Sequence, residues 1–224
     1  MIKLSIRLEA ISSLIPFNSN IIDIGCDHAL LDIYLVENKI VSRAIASDIN
    51  KNALANAIGN IKKYNLENII ETRLGNGLDT LSEDDGVDTI VISGMGTNTI
   101  IDILNNNLSK LDSINTMVIG SNTKVPLLRK EISKIGYIIS DEVIVCDNKK
   151  MYIIIKFIKG KKKYSKKDLY FGPILLSKQD KLFKEYYSSQ LDKLNCNLRN
   201  LPKNRIIDKY KIKKEIRLYK GVII

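Results

Sequence analysis

The stretch Ile21-Ile22-Asp23-Ile24-Gly25-Cys26-Asp27-His28 most constrains what this chain can fold into. An apolar run enters a glycine turn bracketed by carboxylates. A second apolar run, Ala44-Ile45-Ala46-Ser47, ends in Asp48, twenty-three residues after Gly25. Strand, tight turn, helix, strand and acidic tip make the opening βαβ unit of a parallel sheet that holds an adenosine-containing ligand. Gly25 has no Cβ, so the backbone can turn sharply and approach a ligand closely. An acid about 20 residues downstream can accept hydrogen bonds from both ribose hydroxyls. The later glycines of a dinucleotide fingerprint are missing, and Asp27 fills one of their places. A pyrophosphate is repelled there, whereas a cationic sulfonium is not. Taken alone the turn also fits a plain structural connection. Turn and acid together favour S-adenosylmethionine over NAD.

The same alternation continues along the chain. A helix over Ser5–Ile15 stops at Pro16. Strands are expected near 20–25, 43–48, 68–74, 87–92 and 116–121, with helices near 28–38, 50–64, 98–108 and 125–135. Two last strands, near 137–146 and 151–158, are joined by a short polar turn, so the sheet should end in an antiparallel hairpin. The expected fold is α/β: a Rossmann-like, doubly wound, seven-stranded sheet of the class I methyltransferase type. Simple Rossmann dehydrogenases lack the reversed last strand. After Gly160 the pattern changes. Residues 177–201 carry apolar side chains at 183, 187, 191, 194, 198 and 201, close to a coiled-coil repeat. Pro202 breaks the run, and a second amphipathic stretch covers 205–219. A helical coiled-coil hairpin is therefore expected over 161–224, behind a cofactor-binding domain over 1–160.

Charge follows the same division. Residues 1–159 balance at −2 and residues 160–224 at +12, within a chain total of +10. A neutral body with a basic tail is the footprint of a polyanion binder, here a nucleic acid. Lysine-rich composition alone does not place the surplus on one side of residue 160. Arg7, Lys161, Lys162, Lys163, Lys166 and Lys167 are the candidate nucleic-acid contacts. Three cysteines without CxxC spacing and a single histidine give no expectation of a metal site. No apolar run reaches the ~20 residues of a membrane span, and no secretion signal is visible, so a cytoplasmic monomer is expected.

Further candidates lie after strands three and four, on the edge where ligands of such sheets bind. Gly75-Asn76-Gly77-Leu78 can meet an adenine ring, Asn76 through its amide and Leu78 by packing. Ser93-Gly94-Met95-Gly96 stands where methyl donor and acceptor meet. Between Pro16 and Pro126 there is no proline, so the Asn/Asp-Pro-Pro-aromatic loop of exocyclic-amine methylation is missing. Cytosine C5 methylation needs a nucleophilic cysteine, and neither Cys26 nor Cys146 is placed for it.

Leu4-Ser5-x-Arg7-Leu8 with Ile15-Pro16, Asp23-Ile24-Gly25-x-Asp27-His28-Ala29, Gly77-Leu78, Gly94-Met95-Gly96 and Tyr164…Phe171-Gly172-Pro173-x-Leu175-Leu176 resemble the bacterial tRNA (adenine-22 N1) methyltransferases over nearly the whole chain. The resemblance implies a Rossmann-like catalytic domain, a helical C-terminal domain, S-adenosylmethionine as cofactor and tRNA as substrate. It implies cofactor contacts from Asp23, Gly25, Asp27, Asp48, Ile49, Gly75, Asn76, Gly77, Leu78, Ser93, Gly94, Met95 and Gly96. Catalytic roles are implied for Asp27, His28, Met95 and Asn122. Several positions depart from the family. Leu30-Leu31-Asp32 stands where Tyr-Leu-Pro is usual, Asn76 replaces an Asp, Thr97 replaces a Gly, and Ser121-Asn122 stands where Pro-Asn is frequent, keeping the Asn. An aromatic at position 30 could stack on the target base, a role Leu30 cannot fill.

Adenine N1 is an unprotonated lone-pair nucleophile at neutral pH, so no strong base is required. The enzyme must free N1, aim it and exclude water. The product is cationic, which favours a nearby carboxylate, and Asp27 is the candidate. The residues by themselves leave two alternatives open: an inactive RNA-binding homologue, and a methyltransferase acting on a small molecule or protein.

Overall fold

The computed structural model describes residues 2–202 and 204–223. The Ser5 hydroxyl caps helix α1 (Ile6–Leu14) by accepting from the Leu8 amide, and the helix stops before Pro16. There follow β1 (Ser19–Ile24), α2 (Leu30–Glu37), β2 (Val41–Asp48), α3 (Lys51–Lys63), β3 (Ile70–Leu74), β4 (Thr89–Ser93), α4 (Thr97–Asn105), β5 (Thr116–Ser121), α5 (Val125–Lys134), β6 (Tyr137–Asp147) and β7 (Lys150–Lys159). Among the described residues seven strands form one sheet, in the order β3-β2-β1-β4-β5-β7-β6. Strands β1 to β5 run parallel, and β7 runs antiparallel to both β5 and β6. The expected sheet and its reversed strand are both present.

Burial explains why these runs become strands. Ile21, Ile22, Ile90, Val91, Ile92, Val118, Ile119, Ile154 and Ile155 have no exposed surface, as the central strands of a sheet covered on both faces require. The β6–β7 hairpin closes through Asn148 and Lys149, both at positive φ (49° and 63°). Two such residues make the turn whose twist matches that of the flanking strands. Helix α3 turns Leu54, Ala57 and Ile61 inward. The strand order reverses between β1 and β4, and the crevice above their carboxyl ends is where such sheets bind ligands.

Compactness divides the chain after Ile174 rather than at the charge step after Gly160. The physical reason is a clasp on the first unit. Arg129 of α5 and Glu142 of β6 have no exposed side-chain surface and pair at 2.6 Å. Arg129 Nη1 donates to the carbonyls of Leu169 and Tyr170, and Glu142 Oε2 accepts from the Ile174 amide. A Cβ at Gly172, whose φ is +82°, would collide with both charged groups. Tyr164 Oη accepts from the Ile139 amide at 2.7 Å. Helix α6 (Lys166–Phe171) and the first residues of α7 (Pro173–Lys178) are thereby tied to the sheet. Neither helix is legible by periodicity, because six residues do not complete two turns.

The second unit is built on α8 (Lys181–Asn200) and α9 (Ile206–Ile223). The helix expected from residue 177 breaks at Gln179, whose φ is +40°. It restarts under an Asp180 cap that accepts from the Phe183 amide. Tyr187, early in α8, meets Tyr219, late in α9, with ring centroids 6.0 Å apart, so the helices run antiparallel. Phe183, Tyr187 and Leu191 are buried, while Leu194 and Leu198 are only half-buried.

Candidate active site

Gly25 leaves β1 at φ +80°, and its amide donates to the Ser47 carbonyl at 2.8 Å, as does that of Cys26 at 3.1 Å. These bonds tie the turn to β2. The Asp27 amide then donates to Asp48 Oδ2 at 3.2 Å, and the Asn50 amide donates to Asp48 Oδ1 at 2.8 Å. Asp48 is thus held at the tip of β2 by backbone donors on both sides. Asp27 and Ala29 are both left-handed, at φ 51° and 53°, so the segment turns sharply before α2 begins.

A cleft of about 460 Å³ opens here, lined by Arg7, Asp23, Gly25, Asp27, His28 and Ser93 among others. Asp23 is buried on β1. Burial, then the Asp48 charge, push its carboxyl up to about 7, while Arg7 pulls the other way. The buried Cys26 thiol is pushed up as well, mainly by burial and then by Asp23, Asp32 and Asp48. A buried thiol held protonated is no nucleophile. Asp27 and His28 are solvent-exposed and approach each other at 3.5 Å. Arg7 reaches the cleft from α1, with its guanidinium over the Tyr152 ring at 5.1 Å and its Nε buried without a hydrogen-bond partner.

From β3, the Gly75 amide donates to the Asp48 carbonyl at 3.0 Å. Asn76 is exposed at the start of a 3-10 turn over Gly77–Thr80, and Ile49 is exposed beside Asp48. Gly77 and Leu78 depart from the expectation. Both are buried, Gly77 against Ile103, and Leu78 has no exposed surface for a ring to pack on. The 3-10 turn rotates them toward the core, a detail that a Gly-x-Gly pattern does not specify. After β4, Met95 Cε lies 2.5 Å from where a Gly25 Cβ would stand, so Gly25 is needed for this close approach. Gly94, at φ +86°, faces Arg7 Nη1, and Gly96 precedes α4. Ser93 Oγ is buried without a hydrogen-bond partner. Asn122 is half-buried just beyond β5.

Thr97, Tyr152 and Asp32 were not assigned to the site from sequence. The Thr97 amide donates to Thr123 Oγ1 at 3.2 Å, and its hydroxyl bonds Ser121 Oγ at 3.1 Å. It therefore ties the loops after β4 and β5 together, and its departure from the family glycine is the available signal. Lys161, Lys162 and Lys163 are exposed, but β7 ends opposite the start of β5. They leave the sheet at the edge away from the cleft. Lys166 and Lys167 are exposed on α6, and Lys166 Nζ sits 5.3 Å over the Tyr170 ring. Among the described residues no cluster of three or more metal-ligating side chains occurs. No described helix is long and apolar enough to cross a membrane.

Residues 21–221 match the model of the TrmK family, tRNA (adenine(22)-N(1))-methyltransferase. This chain belongs to that family. The tRNA (adenine(22)-N(1))-methyltransferase of Bacillus subtilis is 29% identical over 196 residues, covering 85% of this chain and 82% of the relative. A Streptococcus pneumoniae structure in complex with S-adenosyl-L-methionine is 30% identical, with a TM-score of 0.92 over 99% of this chain and 100% of that one. The TrmK of M. capricolum, in complex with S-adenosyl-homocysteine, is 32% identical, with a TM-score of 0.88 over 98% and 97% of the two chains. As a TrmK-family member, the chain carries the family's fold through both compact units.

Proposed function

We propose that the cleft binds S-adenosyl-L-methionine and that the chain methylates N1 of adenine 22 in tRNA. The observation that carries this reading is the family match along both units. The residues of the cleft fit the cofactor. Asp48 can hold ribose hydroxyls, Asp23 an ammonium and Arg7 a carboxylate, and two buried polar atoms there, Arg7 Nε and Ser93 Oγ, lack partners. The exposed Ile49 offers an apolar surface beside Asp48. When bound, the cofactor supplies an electrophilic methyl group on a cationic sulfur.

The chain's own residues then position and shield. Well-oriented reactants gain roughly 7–11 kcal/mol of barrier in ideal cases. Met95 and the Gly94 loop, beside Gly25, bound the space between donor and acceptor. Asp27 faces the cleft mouth and favours the developing N1 cation, though solvent screens so exposed a carboxylate. The base must be unpaired or extruded to reach it. The +12 balance of residues 160–224 supports tRNA binding there, with Lys161, Lys162 and Lys163 as contacts remote from the reacting base. The proposal includes a monomer and a cytoplasmic location, the location supported by the free cysteines Cys26, Cys146 and Cys196.

Labelled methyl transfer from S-adenosylmethionine to a tRNA transcript, with and without adenine at position 22, tests the reading. Incorporation that vanishes when adenine 22 is replaced is expected. Label that persists after the replacement would refute the position. Tight tRNA binding with no transfer would instead identify an inactive RNA-binding homologue.

A further inference from the structure

Arg7 is the second residue of α1, whose first turn is fixed by the Ser5 cap. Among the described residues that line the cleft it is the one permanent cation, set among Asp23, Asp27 and His28. It forms no ion pair with a described carboxylate, and its Nε is buried without a hydrogen-bond partner. A buried donor left unpaired costs free energy, so the site is incomplete without an acceptor. A side chain this long also has many rotamers open to it, and something must hold it where it stands.

The Arg7 guanidinium carbon lies 5.1 Å over the centre of the Tyr152 ring, within the range of a cation–π contact. Tyr152 is the third residue of β7, and the direction of that strand decides where the ring falls. β7 runs antiparallel to β5 and pairs Ile153 with Ser121, the last residue of β5. The start of β7 therefore returns to the carboxyl edge of the sheet, where the cleft opens. At the same edge Gly94 borders the guanidinium, and a Cβ there would stand 3.6 Å from Arg7 Nη1. Stacking occupies the face of a guanidinium and leaves its N–H edge for an anion, where its planar fork matches a carboxylate in two parallel bonds.

We propose that Tyr152 is a positioning residue for cofactor binding: its ring holds the Arg7 guanidinium in the cleft with the N–H edge free for the cofactor's carboxylate. The inference rests on the cofactor reading given above. Tyr152 is not among the residues lining the cleft and acts only through Arg7. Arg7 and the buried Asp23 then take the two ends of one amino-acid group. A guanidinium already stacked loses less rotamer freedom on binding than a free one.

Calorimetric titration of the full chain with two probes reads this role: S-adenosyl-homocysteine, and the same molecule without its carboxyl group. The native chain should bind the decarboxylated probe more weakly. Tyr152→Leu should weaken S-adenosyl-homocysteine binding roughly 3- to 30-fold, the range of a cation–π contact, and leave the decarboxylated probe within about 2-fold. Tyr152→Phe keeps the ring face and should restore native affinity for both. Equal loss of both probes in Tyr152→Leu would reduce Tyr152 to a scaffold residue and overturn the inference, as would no loss of either. Equal native affinity for the two probes would also overturn it and assign Arg7 to another anion, such as a tRNA phosphate. Should Tyr152→Leu fail to fold, NMR of the unaltered chain decides. The Arg7 Nε–H resonance, assigned by its disappearance in Arg7→Lys, should lie upfield under the ring. It should move on addition of S-adenosyl-homocysteine and not of the decarboxylated probe. A resonance at the ordinary arginine position, or one that moves equally with both probes, would overturn the inference. Absence of any binding to the native chain would refute the cofactor reading and this inference with it, whereas binding without discrimination between the probes refutes this inference alone.

Discussion

The first unit buries charge in two places, and it treats them in opposite ways. At the Arg129–Glu142 clasp a cation and an anion pair at 2.6 Å, and backbone groups of residues 169–174 add further hydrogen bonds to them. At the β1–α2 crevice two carboxyls, Asp23 and Asp32, lie buried without a paired cation, and Arg7 only moderates one of them. A buried charge paired with its opposite resists change and serves architecture. An undercompensated one is held ready for something else to complete it.

Removing one charge at a time should separate the two. Arg129→Met removes the cation beside the buried Glu142, and should cost about 3–5 kcal/mol in urea denaturation. The double replacement Arg129→Met with Glu142→Leu should recover much of that loss. In the crevice the sign reverses. Asp32→Asn should stabilise the ligand-free protein by about 1–3 kcal/mol at pH 8 and by less at pH 5. The pH trend follows from the raised carboxyls. Asp23 is moved from 3.8 to about 7, so its contribution is complete below the unfolded value and is lost as pH rises through neutrality. Glu71 and Asp85 behave oppositely, because Arg73 holds both below their ordinary values. Their contribution is lost as acid protonates them.

Two smaller effects concern function. Asp48→Ala should weaken S-adenosyl-homocysteine binding by about 1–3 kcal/mol, the scale of lost charge-assisted hydrogen bonds. Unchanged affinity in calorimetry would remove Asp48 from the site. Asp27→Asn should lower the single-turnover methylation rate about 10-fold at saturating cofactor, since a carboxylate 72% exposed is strongly screened. Asparagine tolerates the left-handed backbone at this position, so the turn survives the change. A wild-type rate would leave orientation as the source of catalysis.

The comparison also shows what is legible in a sequence. The Gly25-to-Asp48 spacing, the alternation of elements and the terminal hairpin follow from local chemistry, because strand period, turn residues and loop lengths are written in consecutive residues. The turn after β1 and the acidic tip of β2 come together at the carboxyl ends of those strands for that reason. The clasp is not legible in this way, since Arg129, Glu142 and Gly172 meet only after the sheet is formed. The same holds for Leu78, which a 3-10 turn carries into the core, and for Lys161–Lys163, whose edge is set by the direction of β7. Asp32 was visible as a departure from the family pattern, yet its burial depended on the packing of α2.

The clasp also fixes where this protein can be taken apart. Everything through Ile174 is fastened to the sheet by Arg129 and Glu142, while the charge step comes earlier, after Gly160. A cut at the charge step would strip three backbone partners from a buried ion pair and Phe171 from the interior. A cut after Ile174 would leave them in place. Exchange of C-terminal helical segments between relatives, in the laboratory or over evolutionary time, should therefore succeed at the later junction and fail at the earlier one.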